Sequence, residues 1–259
     1  MLADLMAGAK ADAEARLANR PFATVEAAAH AAPPAIDALA ALAPADRVKI
    51  IAEVKRSSPS RGALAEIPDP ALLASLYEQG GASAVSVLTE GRRFGGSLED
   101  LEAVRASISL PVLRKDFISS PYQVFEARAA RADLVLLIVA GLEQKPLQIL
   151  HELILELGMT PLVETHTADE LERAIDIDAK LIGVNARNLS TFELDQSLFG
   201  TLADRIPAGT VRVAESAVKT ADDVARYRAD GADVVLVGEA LVTGDPVSTL
   251  QQFLGAHQR

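Results

Sequence analysis

The chain has 259 residues, a formal net charge of −11, no cysteine and no tryptophan. Its hydrophobic content of 49% with only 4% aromatic residues points to Ala, Val, Leu and Ile packing rather than to aromatic stacking platforms. The acidic balance opposes a phosphodiester backbone, whose binding depends on Lys and Arg displacing counterions. The lack of cysteine excludes a disulfide framework, thiolate catalysis and Cys-ligated zinc.

Residues 1–10 lack the basic segment and apolar core of a secretory signal. The longest apolar run, 134–142, falls short of the roughly 20 residues that span a bilayer. The expectation is a soluble cytoplasmic protein with no nucleic-acid or membrane partner. The acidic surface and the lack of an obvious exposed apolar stripe favour a monomer.

The first 48 residues are Ala-rich, amphipathic at Leu2, Leu5, Met6 and Leu17, and broken at Pro33 and Pro34. They predict extra helices packed over one end of the fold formed by the rest of the chain. Eight short runs rich in β-branched residues come next, at 49–53, 84–88, 111–114, 134–139, 160–163, 181–184, 211–214 and 234–237. Helical patterns separate them, such as 70–79 and 147–157, whose apolar residues recur at a 3.6-residue period. Ser97 with Asp100, and Thr167 with Glu170, read as helix N-caps with an acidic first turn. Continuously apolar strands imply burial on both faces, hence a parallel sheet covered by helices. Eight of them in 259 residues predict a (β/α)₈ barrel forming one domain over 1–259, with 1–48 as its helical extension. An open doubly wound sheet competes, but no G-x-G-x-x-G follows the first strand.

Alternate side chains of a strand share a face. Ile51, Glu53 and Lys55 therefore point together, as do Leu113 with Lys115, Leu162 with Glu164, and Val213 with Glu215. Each set runs from apolar to charged toward the strand's C-terminal end, where barrels of this type keep their active sites. These are strands one, three, five and seven, which supply one layer. A single charge past a strand end is usually solvated, but four in register predict a converging Lys/Glu mouth, and two of the chain's seven lysines fall in it. Such groups become acids and bases when burial and neighbours move their pKa values.

Asn185 and Arg187 follow strand six on one face, and Arg187 suits a carboxylate. Glu215-Ser216-Ala217 and Val237-Gly238-Glu239 follow strands seven and eight, where barrels commonly bind phosphate. The loop Arg56-Ser57-Ser58-Pro59-Ser60-Arg61-Gly62 combines hydroxyls and cations, and reads equally as a solvated turn or an anion contact. Glu90-Gly91-Arg92-Arg93-Phe94-Gly95-Gly96 has glycines for motion and an aromatic to cover a ligand, the pattern of a lid. His30, His151, His166 and His257 show no ligand spacing, so no metal site is expected; His166 reads as a helix-start residue. No nucleophile elbow or P-loop is present.

The strand-end motifs resemble the indole-3-glycerol-phosphate synthase family of tryptophan biosynthesis. The matching segments are Ile51-Ala52-Glu53-Val54-Lys55-Arg56 with Ser58-Pro59-Ser60, Val87-Leu88-Thr89-Glu90 leading to Phe94-Gly95-Gly96-Ser97-Leu98, and Leu113-Arg114-Lys115-Asp116-Phe117-Ile118. They continue with Leu136-Leu137-Ile138, Gly158-Met159, Pro161-Leu162-Val163-Glu164, Ile182-Gly183-Val184-Asn185-Ala186-Arg187, Ala214-Glu215-Ser216 and Leu236-Val237-Gly238-Glu239. The resemblance implies a cofactor-free lyase that closes the ring of 1-(2-carboxyphenylamino)-1-deoxyribulose 5-phosphate and releases CO₂ and water. It implies Lys115 as the acid that protonates the ketone oxygen, Glu164 as the acid/base group of the later dehydration, and Lys55 as an anion-binding lysine and second candidate acid. Glu53, Asn185 and Glu215 would orient these groups, with Ser216 and Arg187 assisting. Phosphate would lie between Ser58, the backbone after Glu215, and Gly238-Glu239, while Phe94, Phe117 and Leu136 would line the aromatic pocket.

Two positions depart from the family pattern. Ala217 stands where a glycine is expected beside phosphate, tolerable if its φ is negative, and Asn188 stands where aspartate is frequent. Another phosphate-binding barrel, such as phosphoribosylanthranilate isomerase, would call for a catalytic Cys and Asp pair, and the chain has no cysteine. A non-catalytic binding barrel would have no need to retain both Lys115 and Glu164.

Overall fold

The computed structural model describes residues 1–59, 61–188, 191 and 193–255. The quoted Ser60 and His257 lie outside the described residues. The eight apolar runs form eight parallel strands: β1 (Lys49–Val54), β2 (Ala84–Leu88), β3 (Val112–Lys115), β4 (Leu134–Ile138), β5 (Thr160–Thr165), β6 (Leu181–Asn185), β7 (Val211–Glu215) and β8 (Val234–Val237). Each pairs with its neighbours in chain order, and β8 returns to β1 through Lys49↔Val234 to close the barrel. Helices cover the outside, among them α4 (Pro70–Gly80), α5 (Leu98–Ser107), α6 (Pro121–Ala129), α7 (Gln144–Glu156) and α8 (Ala168–Asp176).

The strands are apolar throughout because each serves two cores. On β1, Ile50, Ala52 and Val54 face outward into a shell with Tyr77, while Ile51 joins Leu113, Leu136, Leu162, Val213 and Leu236 inside the barrel. Helix ends follow local chemistry. Asp69 caps α4 through the Leu72 N–H, with Pro70 at the first helical position, and Gly81 ends it at φ +95°. Ser97 and Thr167 cap α5 and α8 through the Asp100 and Glu170 N–H groups, as expected.

Five strands run farther toward the mouth than the apolar pattern predicts. The ladder continues through Leu88↔Lys115, Ile138↔Glu164 and Asn185↔Glu215. A charged side chain ends an apolar run in sequence, but the backbone still pairs when that side chain points into a polar mouth. The chemistry-bearing residues therefore sit on rigid strand ends rather than in the loops beyond. The loop after β1, a turn or anion contact by its composition, carries a two-stranded hairpin of Ser57–Ser58 with Gly62–Ala63.

The N-terminal extension does not cover one end, as expected, but reaches both. α1 (Leu2–Asn19) lies at the mouth, where Leu5 joins Phe94 and Phe117, Arg92 pairs with Asp12 at 2.6 Å, and Arg16 pairs with Glu126 at 2.5 Å. α2 (Phe22–Ala31) packs on α6. α3 (Ala38–Leu42) closes the opposite end, where Ala38 and Leu42 join the inner core and Lys49 Nζ, at the start of β1, donates to the Ala41 carbonyl at 2.7 Å. Among the described residues no helix is long and apolar enough to cross a membrane.

Candidate active site

The expected charges from alternate strands meet inside the mouth. Lys115 Nζ on β3 lies 3.8 Å from Glu53 Oε2 on β1 and 3.8 Å from Glu164 Oε2 on β5, and Glu215 on β7 completes the ring. Glu53, Glu164 and Glu215 are each at most 2% exposed. Sequence leaves open whether Glu53 or Lys55 belongs to the layer. Glu53 does, and Lys55 stands one step outward, its Nζ 2.7 Å from Glu53 Oε1. The layer fits because Gly183 on β6 has no side chain: a Cβ there would come 2.1 Å from Glu215 Oε1. Likewise a Cβ on Gly238 would come 2.6 Å from Glu53 Oε1.

Three buried carboxyls around one ammonium do not ionise alike. Burial disfavours the Lys115 ammonium, but Glu53, Glu164 and Glu215 outweigh it and hold the side chain protonated. Burial also opposes charge on Glu53 and Glu164. For Glu53 the Lys55 and Lys115 ammonium groups prevail, and for Glu164 Lys115 and then His166, so both carboxyls fall below their usual range. Glu215 goes the other way: burial and the adjacent Glu164 charge raise it well above that range despite Lys115. Both oxygens of Glu215 and Oε2 of Glu164 lack a hydrogen-bond donor. The raised pKa of Glu215 favours its protonated form, which removes one of the two buried charges facing each other.

Two adjoining cavities open from this layer. One of about 450 Å³ is polar, lined by Lys55, Arg61, Arg187, Ser216, Gly238 and Glu239 among others. The second, about 100 Å³, is lined by Leu5, Phe94, Phe117, Leu136 and Ile138 together with Ser58, Glu164 and Asn185. Lys55, Lys115 and Arg187 border both. On the polar side Asn185 Oδ1 accepts from Ser216 Oγ at 2.7 Å and from the Arg187 N–H at 3.0 Å, and Glu239 pairs with Arg61 at 3.1 Å. Ser216 and Ala217 follow β7 at φ +68° and +57°. The negative φ that would make Ala217 costless is therefore not adopted. The chain turns there in the left-handed region that glycine occupies freely and alanine at about 1 kcal/mol or more.

The apolar side rests on a buried frame. Phe94 meets Phe117 with ring centroids 6.0 Å apart. The loop carrying Phe94, a lid by its glycine pattern, is tied down: the Glu90 carboxylate accepts from the Arg92, Arg93 and Phe94 N–H groups, and Arg56 bonds the Gly95 carbonyl and pairs with Asp100. Gly96 is a close-approach glycine, since a Cβ would meet the Leu88 carbonyl. Phe117 and Lys115 flank Asp116, whose carboxylate accepts from the Phe117 N–H at 2.8 Å, Thr89 Oγ1 at 2.6 Å and the fully buried Arg114 at 3.0 Å.

Sequence reasoning misses this Thr89–Arg114–Asp116 frame, although all three residues fall in the quoted motifs, because side-chain pairing across strands is invisible in one chain. It also misses Leu5 and Gly183. His166, a helix-start residue by its position, precedes the Thr167 cap of α8, and its ring stands between Glu164 and Glu170. His30 meets Phe125 edge to face and His151 is buried on α7, both away from the mouth. Among the described residues no group of three or more His, Cys, Asp or Glu is arranged to hold a metal ion.

A closed (β/α)₈ barrel with a Lys/Glu layer at its C-terminal mouth, beside a polar and an apolar cavity, has the make-up of an acid–base enzyme for a ligand with one polar and one apolar end. Residues 2–253 match the family model described as indole-3-glycerol phosphate synthase. The chain is 73% identical over 255 residues to the indole-3-glycerol phosphate synthase of Leifsonia xyli subsp. xyli, covering 98% of each chain. It is 57% identical over 257 residues to that of Mycobacteroides abscessus, covering 99% of this chain and 94% of the relative. The chain belongs to the indole-3-glycerol phosphate synthase family. Its fold is also similar to that of an N-acetylmannosamine-6-phosphate 2-epimerase from Clostridium perfringens, with a TM-score of 0.59, 15% identity and coverage of 75% of this chain and 87% of that one. A thiamine phosphate pyrophosphorylase from Pyrococcus furiosus gives a TM-score of 0.61, 13% identity and coverage of 81% and 95%. At those identities the likeness concerns the fold alone.

Proposed function

We propose that the chain converts 1-(2-carboxyphenylamino)-1-deoxyribulose 5-phosphate to indole-3-glycerol phosphate, the product for which its family is named. The observation that carries this reading is the Lys115 ammonium held among Glu53, Glu164 and Glu215 where the apolar and polar cavities meet. The aromatic ring fits the side formed by Phe94, Phe117 and Leu136, and the phosphate the side formed by Ser58, the backbone from Ser216 through Ala217, and Gly238-Glu239.

The ring carbon bearing the carboxylate bonds to the ketone carbon, and Lys115 delivers a proton to the ketone oxygen as it becomes a hydroxyl. CO₂ departs, and the electrons of its broken bond restore the aromatic ring. The hydroxyl then leaves as water after taking a second proton from Lys55 or Lys115, and the proton lost from carbon passes to Glu164. Glu164 suits a base because its neighbours hold it ionised, and Lys115 suits an acid because its neighbours hold it protonated. Glu53 fixes both ammonium groups. Asn185, Ser216 and Glu215 orient the substrate hydroxyls, and Arg187 faces its anionic groups from the rim. No step calls on a cofactor.

The same reading takes the protein as a cytoplasmic monomer. Exposed large apolar residues such as Phe22, Leu72 and Leu155 lie on separate helices, which favours a single copy over an obligate interface. Purified protein mixed with the substrate should develop indole fluorescence and release one CO₂ per product. A folded protein that produces neither contradicts the reading.

A further inference from the structure

Glu164 and His166 share the inward face at the end of β5, two residues apart. His166 Nε2 stands 3.2 Å from Glu164 Oε1, and Nδ1 stands 3.1 Å from Glu170 Oε2. The ring is 9% exposed and Glu164 1%. Glu170 Oε2 also accepts the His166 backbone N–H at 2.7 Å, which fixes the ring from below. A helix start alone explains none of this, since Thr167 already caps α8.

His166 Nδ1 hydrogen-bonds Glu170, whereas Nε2 lies at ion-pair distance from Glu164 without a hydrogen bond; a neutral imidazole carries one N–H for the two carboxylates, and the imidazolium presents a positive N–H to each. We propose that His166 is a positioning residue for the reaction, a buried cation between Glu164 and Glu170 that holds Glu164 ionised and aimed at the cavity. The inference rests on the role given to Glu164 above. The two oxygens of Glu164 divide between two cations, Oε1 toward His166 and Oε2 toward Lys115. Glu215 faces Glu164 from β7, and its hydrogen bond favours the Glu164 charge, while the ionised Glu53 lies across the layer. Glu193 and Asp195, after β6, line the hollow beside His166. Burial pulls the ring toward neutrality, but Glu164 and Glu170 outweigh it and raise its pKa to about 10. Removing the cation leaves Lys115 as the one ammonium paired with Glu164, so Glu164 takes up a proton at higher pH and loses its function as a base.

The test pairs H166N with the ring titration of the wild-type protein. In H166N, kcat near pH 7 should fall by roughly tenfold or more with KM within about twofold, and the acidic limb of the kcat profile should move up by about a pH unit or more. A purely structural role would lower the melting temperature and leave the profile in place. Nitrogen NMR of the wild-type His166 ring should show both nitrogens protonated near pH 8, a readout that needs neither turnover nor a folded variant. A neutral ring near pH 8, or an H166N profile that superimposes on wild type, overturns the proposal. Wild-type protein inactive on the substrate contradicts the proposed reaction instead, and the ring titration still decides the charge of His166.

Discussion

Glu215 lies over Gly183 so closely that a methyl group on residue 183 would come 2.1 Å from its carboxyl oxygen. The vacancy on β6 is what lets a carboxyl on β7 join the layer around Lys115. Gly183→Ala should push Glu215 toward Glu164 or out of the ring, with little damage to the strand, since β6 stays paired on both sides. We expect a fall in kcat of roughly tenfold or more while the folded state persists by circular dichroism. Unchanged kcat would show that Glu215 has no need of that place.

Ala217 gives a stability prediction of opposite sign. At φ +57° its Cβ strains the turn after β7, at a cost of roughly 1–2 kcal/mol, partly offset by the entropy that glycine loses on folding. Ala217→Gly should therefore stabilise the protein by about 0.5–1 kcal/mol, a rise of roughly 1–4 °C in melting temperature. A lower melting temperature would mean that the strain is absent.

The buried groups also set a pH dependence. His166 has a folded pKa above its ordinary value, so its contribution is complete below about pH 6.5 and is lost as pH rises through about 10. Glu215 is raised as well, and its protonated form loses its advantage progressively above the usual carboxylate range. Glu164 is depressed, so its contribution is lost only as acid protonates it. Denaturant titrations should show stability falling between pH 6.5 and 10, at about 1.4 kcal/mol per pH unit for each extra proton the folded state holds. H166N should flatten that fall. A stability that rises over this range contradicts the assigned protonation states.

The barrel is legible in the sequence because its strands are buried on both faces and so lack polar alternation, and because Glu53, Lys115, Glu164 and Glu215 all end such runs in the same phase. Pairing between distant elements is not legible in the same way. The placing of α1 and α3 at opposite ends depends on contacts such as Arg92 with Asp12 and Lys49 with Ala41, which leave no periodic trace. The partners of His166 are hidden for a related reason. Its spacing from Glu164 is visible, but the contribution of Glu170 depends on how α8 turns back onto the end of β5. In the loop bearing Phe94 the glycines are legible but their reasons are not: Glu90 and Arg56 bond the loop's backbone, and Gly96 is demanded by close contact with the Leu88 carbonyl.

Lys115 is the point on which the proposed chemistry turns, since it is placed to give the first proton and to balance three carboxyls. The decisive measurement is the turnover of Lys115→Ala compared with wild type, followed by indole fluorescence at saturating substrate, with circular dichroism to establish folding. The predicted result is a folded variant whose kcat is lower by about 10² to 10⁴-fold. A folded variant with kcat within about threefold of wild type would contradict the role of Lys115 as the acid.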